Sequence, residues 1–208
     1  KIANDTELFI KKLNELESLG IGQISKTFIK NPMEFYVVCT DVLTGNPVYH
    51  KIEKGDDTDI QWIRASASMP MVSNVVNIGE NMLLDGGVAD SIPLKYFESK
   101  GFKRNVVVLT QPIEYRKKKN KLVPVAKVML KKYPELINAM ADRHIRYNQT
   151  LDYILEQEKQ GKIFVIRPEA PLNIGSIEKD PNELERVYQL GRKAALDKLE
   201  ELSRFMSL

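Results

Sequence analysis

Short apolar runs and helix-spaced apolar stripes alternate along the chain, and each predicts one element. Residues 6–19 carry apolar side chains at helical spacing before Gly20, which predicts a first helix. The continuous apolar run at 35–39 has the length of a strand and favours one covered on both faces. Turn-forming residues at 43–47 precede a second strand at 48–52, so we expect a β-hairpin.

The middle of the chain predicts a short helix and a second pair of strands. Residues 59–67 form a helical pattern, for which Asp59 is the predicted N-cap. Strands are expected at 72–77 and 81–84, and the second of them ends in an Asp-Gly-Gly corner that begins at Asp85. A polar corner at the end of an apolar strand calls for an explanation.

The last hundred residues alternate helices with apolar strands. Runs at 105–110 and 162–167 predict strands, and the stretch at 124–160 predicts a helix broken near Pro134. The final helix is expected to begin after Asp180 as N-cap and to pack its apolar stripe on the core. The stripe consists of Leu184, Val187, Tyr188, Ala195, Leu199, Leu202 and Phe205.

Apolar strands separated by helices indicate an α/β fold with a mixed, mostly parallel sheet. In open sheets of this kind, ligands bind beyond the carboxyl ends of the strands. Asp85 lies at such an end. It is therefore the first candidate for a functional side chain.

Composition narrows the class of protein. The chain has 208 residues, of which 43% are hydrophobic and 28% charged, so it is globular and long enough for one domain. No apolar run approaches the roughly 20 residues that cross a bilayer, so we expect no transmembrane segment. Cys39 is the single cysteine, so the chain forms no intrachain disulfide and comes either from a reducing compartment or from a protein that does not rely on disulfides. We expect a cytoplasmic protein.

The net charge of +3 is small, but the positive charge is concentrated. Residues 111–132 hold eight Lys or Arg and one acid, Glu114, while the rest of the chain carries more acidic than basic residues. This distribution argues against a nucleic-acid partner. Such a run is commonly a solvated loop, and the alternative is peripheral contact with an anionic membrane. The residues that would make this contact are Arg116, Lys117, Lys118, Lys119 and Lys121.

Several kinds of site are absent from the sequence. The two histidines, His50 and His144, lie far apart and the chain has one cysteine, so no zinc-ligand spacing occurs. The Gly20-Ile-Gly22 segment lacks the third glycine of a phosphate loop. No G-x-S-x-G motif occurs, so the nucleophile elbow of an acyl hydrolase is missing from these residues. We expect neither a metal nor an organic cofactor.

The Asp85-Gly86-Gly87 corner has two interpretations. Asp-Gly is a favoured turn, and most such pairs do nothing more. Alternatively, the glycines let the backbone fold tightly behind a carboxylate that projects from a rigid strand end, where it could accept a proton from a nucleophile's hydroxyl. The three residues alone do not decide between these interpretations.

The surrounding sequence resembles the carboxyl-terminal half of patatin-like phospholipases. The resemblance rests on Ala-Ser-Ala-Ser-Met-Pro, which ends at Pro70, and on the segment from Leu84 to Pro93. In that family a short Ala-Ser-x-x-x-Pro helix precedes a strand ending in Asp-Gly-Gly. The turn that begins at Asp41, with Thr44-Gly45, is also similar.

This resemblance implies a three-layer α/β/α fold, of which residues 1–208 are the carboxyl-terminal portion of a single domain. It implies a lipid acyl hydrolase with a Ser-Asp dyad, in which Asp85 is the base and Gly86 and Gly87 hold the turn. Because the family's oxyanion loop and serine motif are missing, and the chain opens at Lys1 and not at Met, we interpret the chain as a fragment whose nucleophile lies upstream. Alone it should be inactive.

Three alternatives accompany this interpretation. Ser66 and Ser68 lie in a small-residue helix and not on a glycine-flanked elbow, so we expect them to be packing residues. Nothing places His144 beside Asp85, so a Ser-His-Asp triad is not expected. The rival function is a non-catalytic α/β module that binds lipid or protein and retains the fold.

Overall fold

The structure is a computed structural model that describes residues 30–175 and 177–207. The predicted helix at 6–19 lies outside the described residues. Those residues contain six strands and six α-helices, and the chain divides into two compact units. Among the described residues, the first unit comprises 30–92 and 118–147, and the second comprises 93–117, 148–175 and 177–207. The expectation of a single patatin-like domain stays a prediction.

A four-stranded sheet forms the centre of the first unit. Its strands are β1 (Phe35–Asp41), β2 (Pro47–Ile52), β3 (Val76–Ile78) and β4 (Asn81–Asp85). Their order is β2-β1-β4-β3, and each neighbouring pair is antiparallel. The predicted predominance of parallel pairing is therefore not found among the described strands of this sheet, because hairpins connect β1 to β2 and β3 to β4.

The predicted hairpin between β1 and β2 is confirmed, and its turn has a local cause. The Asp41 carboxylate Oδ1 accepts the backbone N–H groups of Leu43 and Thr44, at 3.0 and 2.8 Å. Gly45 follows at φ +69°, a conformation that favours glycine. A Cβ on Gly45 would also lie 2.6 Å from the carbonyl oxygen of Glu135. Turn chemistry and close packing thus both require this glycine.

Helix α1 (Asp57–Ser66) follows β2 and begins earlier than predicted. Its N-cap is Asp56, whose side chain accepts the N–H of Asp59 at 3.0 Å, so the assignment of the cap to Asp59 is wrong. Both residues are suitable helix-start types, and the difference lies in tertiary structure, because Asp59 is buried at 6% exposure.

The predicted strand at 72–77 is shorter in the structure. Residues before it form a turn, in which the N–H of Ser73 donates to the carbonyl of Met69 at 2.9 Å, and Met71 has φ +67°. That backbone conformation is incompatible with an extended strand, so β3 begins at Val76. Gly79 at φ +57° then supplies the turn into β4.

Helices cover both faces of this sheet. On one face, Trp62 and Ala65 of α1 pack with Leu83 and with Val37 and Cys39 of β1. On the other face, helices α3 (Val123–Met129) and α4 (Pro134–Lys159) contribute to a second cluster. Its buried members are Val42, Leu84, Val88, Ala126, Leu136, Ala139 and Met140.

Leu83 and Leu84 belong to opposite clusters because successive residues of a strand point to opposite faces. The predicted helix break near Pro134 is also confirmed, since α3 ends at Met129 and α4 begins at Pro134. The complete three-layer patatin-like arrangement stays a prediction.

The second unit contains α2 (Leu94–Ser99) and the parallel pair β5 (Asn105–Val108) and β6 (Ile163–Ile166). Both strands were predicted from their apolar runs. Within this unit the hydroxyl of Tyr153 donates to Glu98 at 2.7 Å. None of the described helices combines the length and the apolar composition that crossing a bilayer requires.

The final helical stretch consists of two helices, α5 (Pro181–Leu196) and α6 (Leu199–Ser207). The predicted start is confirmed, because the Asp180 side chain accepts the N–H of Asn182 at 2.9 Å. The predicted packing of the apolar stripe is wrong for Leu184, Tyr188 and Leu199, which are exposed. An apolar stripe shows which face is apolar and does not show whether a partner covers it.

Candidate active site

Asp85 is the last residue of β4, which lies between β1 and β3 in the sheet. Its main chain is fixed on both sides of the residue. The N–H donates to the carbonyl of Ser68 at 2.8 Å, and the carbonyl accepts the hydroxyl of Thr40 at 2.8 Å. Cys39 is its register partner in β1. The position of this strand end is therefore set by the sheet and by the segment that follows α1.

The Asp85 carboxylate is half-buried and held by one hydrogen bond. Its Oδ1 accepts the N–H of Gly87 at 2.7 Å, which caps the single 3-10 turn at Gly86–Val88. Within the part of the chain that the structure describes, Oδ2 accepts no hydrogen bond. One carboxylate oxygen thus orients the group, and the other is left to accept a proton.

Thr40 connects the two sides of the corner, a role that the sequence analysis missed. Its hydroxyl is fully buried, donates to the carbonyl of Asp85 and accepts the N–H of Ala89 at 3.2 Å. One side chain therefore joins the strand end to the residue that follows the turn. The sequence signal for this role is the position of Thr40, a polar residue directly after the apolar run of β1.

Gly86 is required by close packing. A Cβ on this residue would lie 2.1 Å from the carbonyl oxygen of Val38, far inside van der Waals contact. A Cβ on Gly87 would lie 3.1 Å both from Nη2 of Arg143 and from Oδ1 of Asp85. The tight backbone fold expected behind the Asp85 carboxylate is found at Gly86, where a side chain has no room, and neither glycine has positive φ.

Ser66 and Ser68 use their hydroxyls in hydrogen bonds to backbone carbonyls. Ser66 donates to the carbonyl of Val38 at 2.7 Å, and Ser68 donates to the carbonyl of Arg64 at 2.8 Å. These contacts agree with the expected packing role. The Nδ1 atom of His144 lies 3.0 Å from the carbonyl of Ala141 in its own helix, which is a local contact too.

Cys39 is buried beneath the Asp85 corner. Burial raises the pKa of its thiol to about 12, and the negative charge of Asp85 adds to this effect. The thiol lies 3.7 Å from the carbonyl oxygen of Trp62. A thiol with this pKa is almost entirely protonated at neutral pH, so it is a poor nucleophile.

A buried carboxylate, that of Asp59, organises the loop between β2 and α1. Its Oδ2 accepts the N–H groups of Lys54 and Gly55, at 2.7 and 2.8 Å, and that of Glu53 at 3.1 Å. Its Oδ1 lies 3.4 Å from Nε2 of His50. Burial raises the pKa of Asp59, but these hydrogen bonds outweigh burial and hold the pKa below its usual value.

The ring of His50 stacks on Trp62, with centroids 4.0 Å apart and an angle of 6° between the planes. The Asp59 contacts and this stack together fix α1 against the edge strand β2. The chain leaves α1 and reaches Ser68, whose carbonyl accepts the N–H of Asp85, so this cluster holds the helix that precedes that contact.

The basic run is exposed, as expected, at all but one of its eight residues. Lys117 is half-buried, and its main chain is bonded to the side chain of Asn148. Arg116 pairs with Asp152 at 3.0 Å. The exposed residues are Arg116, Lys118, Lys119, Lys121, Lys127, Lys131 and Lys132.

Across the described ranges, 30–175 and 177–207, no three His, Cys, Asp or Glu side chains are grouped so that they could hold a metal ion.

A family model matches the carboxyl-terminal part of the chain. Residues 133–207 match a family model described as a domain of unknown function, DUF6363. The match covers a little over a third of the chain, from the start of α4 to α6, and leaves out the Asp85 corner. No curated protein matches the chain.

Proposed function

We propose that the chain supplies the catalytic base of a patatin-like serine acyl hydrolase that cleaves acyl esters of lipids, including phospholipids. The observation that carries this proposal is the placement of Asp85. Its half-buried carboxylate lies at the end of a central strand, on a corner where Gly86 has no room for a Cβ. The nucleophilic serine belongs to sequence upstream of Lys1.

In the proposed reaction, the upstream serine hydroxyl attacks the ester carbonyl carbon while Asp85 accepts its proton. The tetrahedral intermediate then breaks the bond to the alcohol, which leaves with the proton from Asp85. The acyl-enzyme is cleaved by water, which Asp85 deprotonates. The acid departs, the proton returns to the serine, and the enzyme is restored without a metal or an organic cofactor.

The hydrogen bonds of the corner support this role because a base works best when its geometry is fixed beforehand. Gly87 holds Oδ1, and Ser68 and Thr40 hold the main chain of Asp85. No reorganisation of the carboxylate would then be needed at the moment of proton transfer. Oδ2 is the oxygen that we assign to the serine proton.

The exposed basic residues provide a means of reaching the substrate. We propose that the protein is cytoplasmic and contacts anionic membrane surfaces peripherally through Arg116, Lys117, Lys118, Lys119 and Lys121. Each basic residue near an anionic membrane contributes about 1 kcal/mol of attraction. Screening over about 8 Å at physiological salt restricts this attraction to residues close to the surface.

The test uses the complete protein, including its upstream sequence, with ester hydrolysis and melting temperature measured in parallel. Asp85→Asn should abolish hydrolysis and move the melting temperature by only a few degrees, because the change is nearly isosteric. The matched control is Asp90→Asn, five residues further on. Asp90 accepts the hydroxyl of Tyr49 at 2.7 Å, so this variant should lose stability and keep turnover.

Retained hydrolysis in Asp85→Asn would contradict the assignment of the base. A complete protein that binds lipid vesicles but hydrolyses no acyl ester would favour the non-catalytic module instead. The 208-residue chain by itself should be inactive, since it lacks both a serine elbow and an oxyanion loop.

A further inference from the structure

Three polar groups surround the space beside the Cα of Gly87. A Cβ built there would lie 3.1 Å from Nη2 of Arg143, 3.1 Å from Oδ1 of Asp85 and 3.6 Å from Oγ of Ser91. Arg143 belongs to α4, whose Leu136, Ala139 and Met140 pack on the Leu84 face of the sheet. A guanidinium group therefore lies next to the carboxylate that we assign as the base, and the missing side chain of Gly87 leaves room between them.

The Arg143 guanidinium has a donor without an acceptor. Its Nε is buried and, among the described residues, has no hydrogen-bond partner. Buried donors are nearly always bonded, and leaving a charged one unbonded is costly. Arg146, one turn further along the helix, has the acceptors that a half-buried arginine usually finds: its Nη2 donates to the carbonyls of Ala139 and Val88 at 2.6 and 3.2 Å.

Asp85 does not supply the missing acceptor. In the described part of the chain, no ion pair joins Asp85 to Arg143, and Oδ1 of Asp85 already accepts the N–H of Gly87. Nη2 of Arg143, the nitrogen that lies at this corner, forms no hydrogen bond with a described residue, so it is the donor that another anion would meet here. A guanidinium group binds the oxygens of a phosphate particularly well because its donors are planar and paired.

We propose that Arg143 binds a phosphoryl oxygen of a glycerophospholipid substrate and thereby determines the preference for phospholipids over uncharged esters. This inference rests on the proposed hydrolase function. In a glycerophospholipid the phosphate is joined to the acyl esters through the glycerol carbons, only a few bonds away. A phosphate at Arg143 would therefore bring an ester carbonyl close to Asp85.

The first experiment compares a phosphatidylcholine with a diacylglycerol of the same acyl chains, in mixed micelles, as substrates of the complete protein. Arg143→Ala should lower kcat/KM for the phospholipid by about 10- to 100-fold, the effect of losing one charge-assisted hydrogen bond. For the diacylglycerol the change should stay within about 2-fold. Arg143→Lys, which keeps the charge, should recover part of the loss. The control is Arg192→Ala, at an exposed arginine of α5, which should leave kcat/KM for both substrates unchanged.

A second variant keeps the test informative if Arg143→Ala does not fold. Arg143→Gln keeps most of the length and the polarity of the side chain but removes its charge, so it should also lower phospholipid hydrolysis more than diacylglycerol hydrolysis. Equal losses on both substrates, or an unchanged preference in both variants, would overturn the assignment of Arg143 as the phosphate ligand.

A binding measurement separates this inference from the hydrolase proposal. Glycerophosphocholine, a soluble phosphodiester without acyl chains, should bind to the wild type by calorimetry and not to Arg143→Ala. If it binds in this way while no ester is hydrolysed, the phosphate site stands and the hydrolase proposal fails. If glycerophosphocholine does not bind, or if inorganic phosphate binds as tightly, the assignment of a lipid phosphodiester is wrong.

Discussion

Adding one methyl group at Gly86 should destabilise the fold more than most single substitutions. In Gly86→Ala the new Cβ would lie 2.1, 2.4 and 2.8 Å from the carbonyl oxygen, carbonyl carbon and Cβ of Val38. The first two are backbone atoms, so no side-chain rotation relieves the clash. Val38 lies in β1, which is hydrogen-bonded to β2 on one side and to β4 on the other, so β1 cannot shift away from the new methyl group without disturbing both neighbouring strands.

The expected loss follows from two contributions. Overpacking a well-packed site costs about 1–3 kcal/mol, and a clash with backbone belongs at the upper end. Moving the corner would also weaken the hydrogen bonds from Thr40 to Asp85 and from Asp85 to Ser68, each contributing about 1 kcal/mol. We therefore expect Gly86→Ala to lower the free energy of unfolding by about 3 kcal/mol or more.

Two other glycines provide matched controls. At Gly87 the nearest atoms are the ends of side chains, at 3.1 Å, so Gly87→Ala should cost about 1 kcal/mol or less. At Gly79 a Cβ meets nothing within 4 Å, and the cost of about 1 kcal/mol comes from the positive φ alone.

Urea unfolding followed by tryptophan fluorescence measures all three variants. Trp62 is the single tryptophan of the chain, is buried and stacks on His50, so its emission reports on this unit. If Gly86→Ala unfolds at the same urea concentration as Gly87→Ala, with the same slope, the argument from close packing is refuted.

Three further predictions concern stability, reactivity and membrane contact. Asp59→Asn should lower the free energy of unfolding by about 2 kcal/mol at pH 7. Because the folded pKa of Asp59 is lowered, the stabilisation by its carboxylate is present above the usual value of 3.8 and disappears as the pH falls through the folded pKa. Acid titration of the wild type and of Asp59→Asn should therefore show their free energies of unfolding converging. With a pKa raised to about 12, Cys39 should resist Ellman's reagent at pH 8 until urea unfolds the chain, and immediate reaction would show that the thiol is not buried. Changing Lys118, Lys119 and Lys121 to Glu should reduce co-sedimentation with anionic vesicles and its salt dependence. The same charge change at the exposed Lys103, Lys159 and Lys162 should have less effect. Equal effects would show that the basic run is a solvated loop without a specific role in membrane contact.

Local chemistry accounts for the parts of the fold that the sequence predicts well. The hairpin after β1 depends on Asp41 and Gly45, which act within a few residues of each other. The start of α5 at Asp180 is equally local. The crowding at Gly86 was also predictable, because a glycine after a strand-end aspartate suggests a close approach of backbone.

Tertiary structure decides the remainder. Asp56 and Asp59 are equally suitable caps, and only the burial of Asp59 against the loop separates them. An apolar run predicts a strand but not the direction of its neighbours, so the sequence predicted mostly parallel pairing and not the antiparallel pairing of β1 with β4. Arg143 could not be linked to Asp85, because the two residues are far apart in sequence and meet only through the packing of α4 on the sheet.

The most direct test of the central claim is covalent labelling of the complete protein with a fluorophosphonate, which reacts with activated serines, followed by mass spectrometry of the labelled peptide. We predict a single labelled serine upstream of Lys1, and a labelling rate that falls at least about 100-fold in Asp85→Asn because the serine loses its base. Labelling at Ser66 or Ser68, no labelling at all, or the same rate in Asp85→Asn would contradict the account.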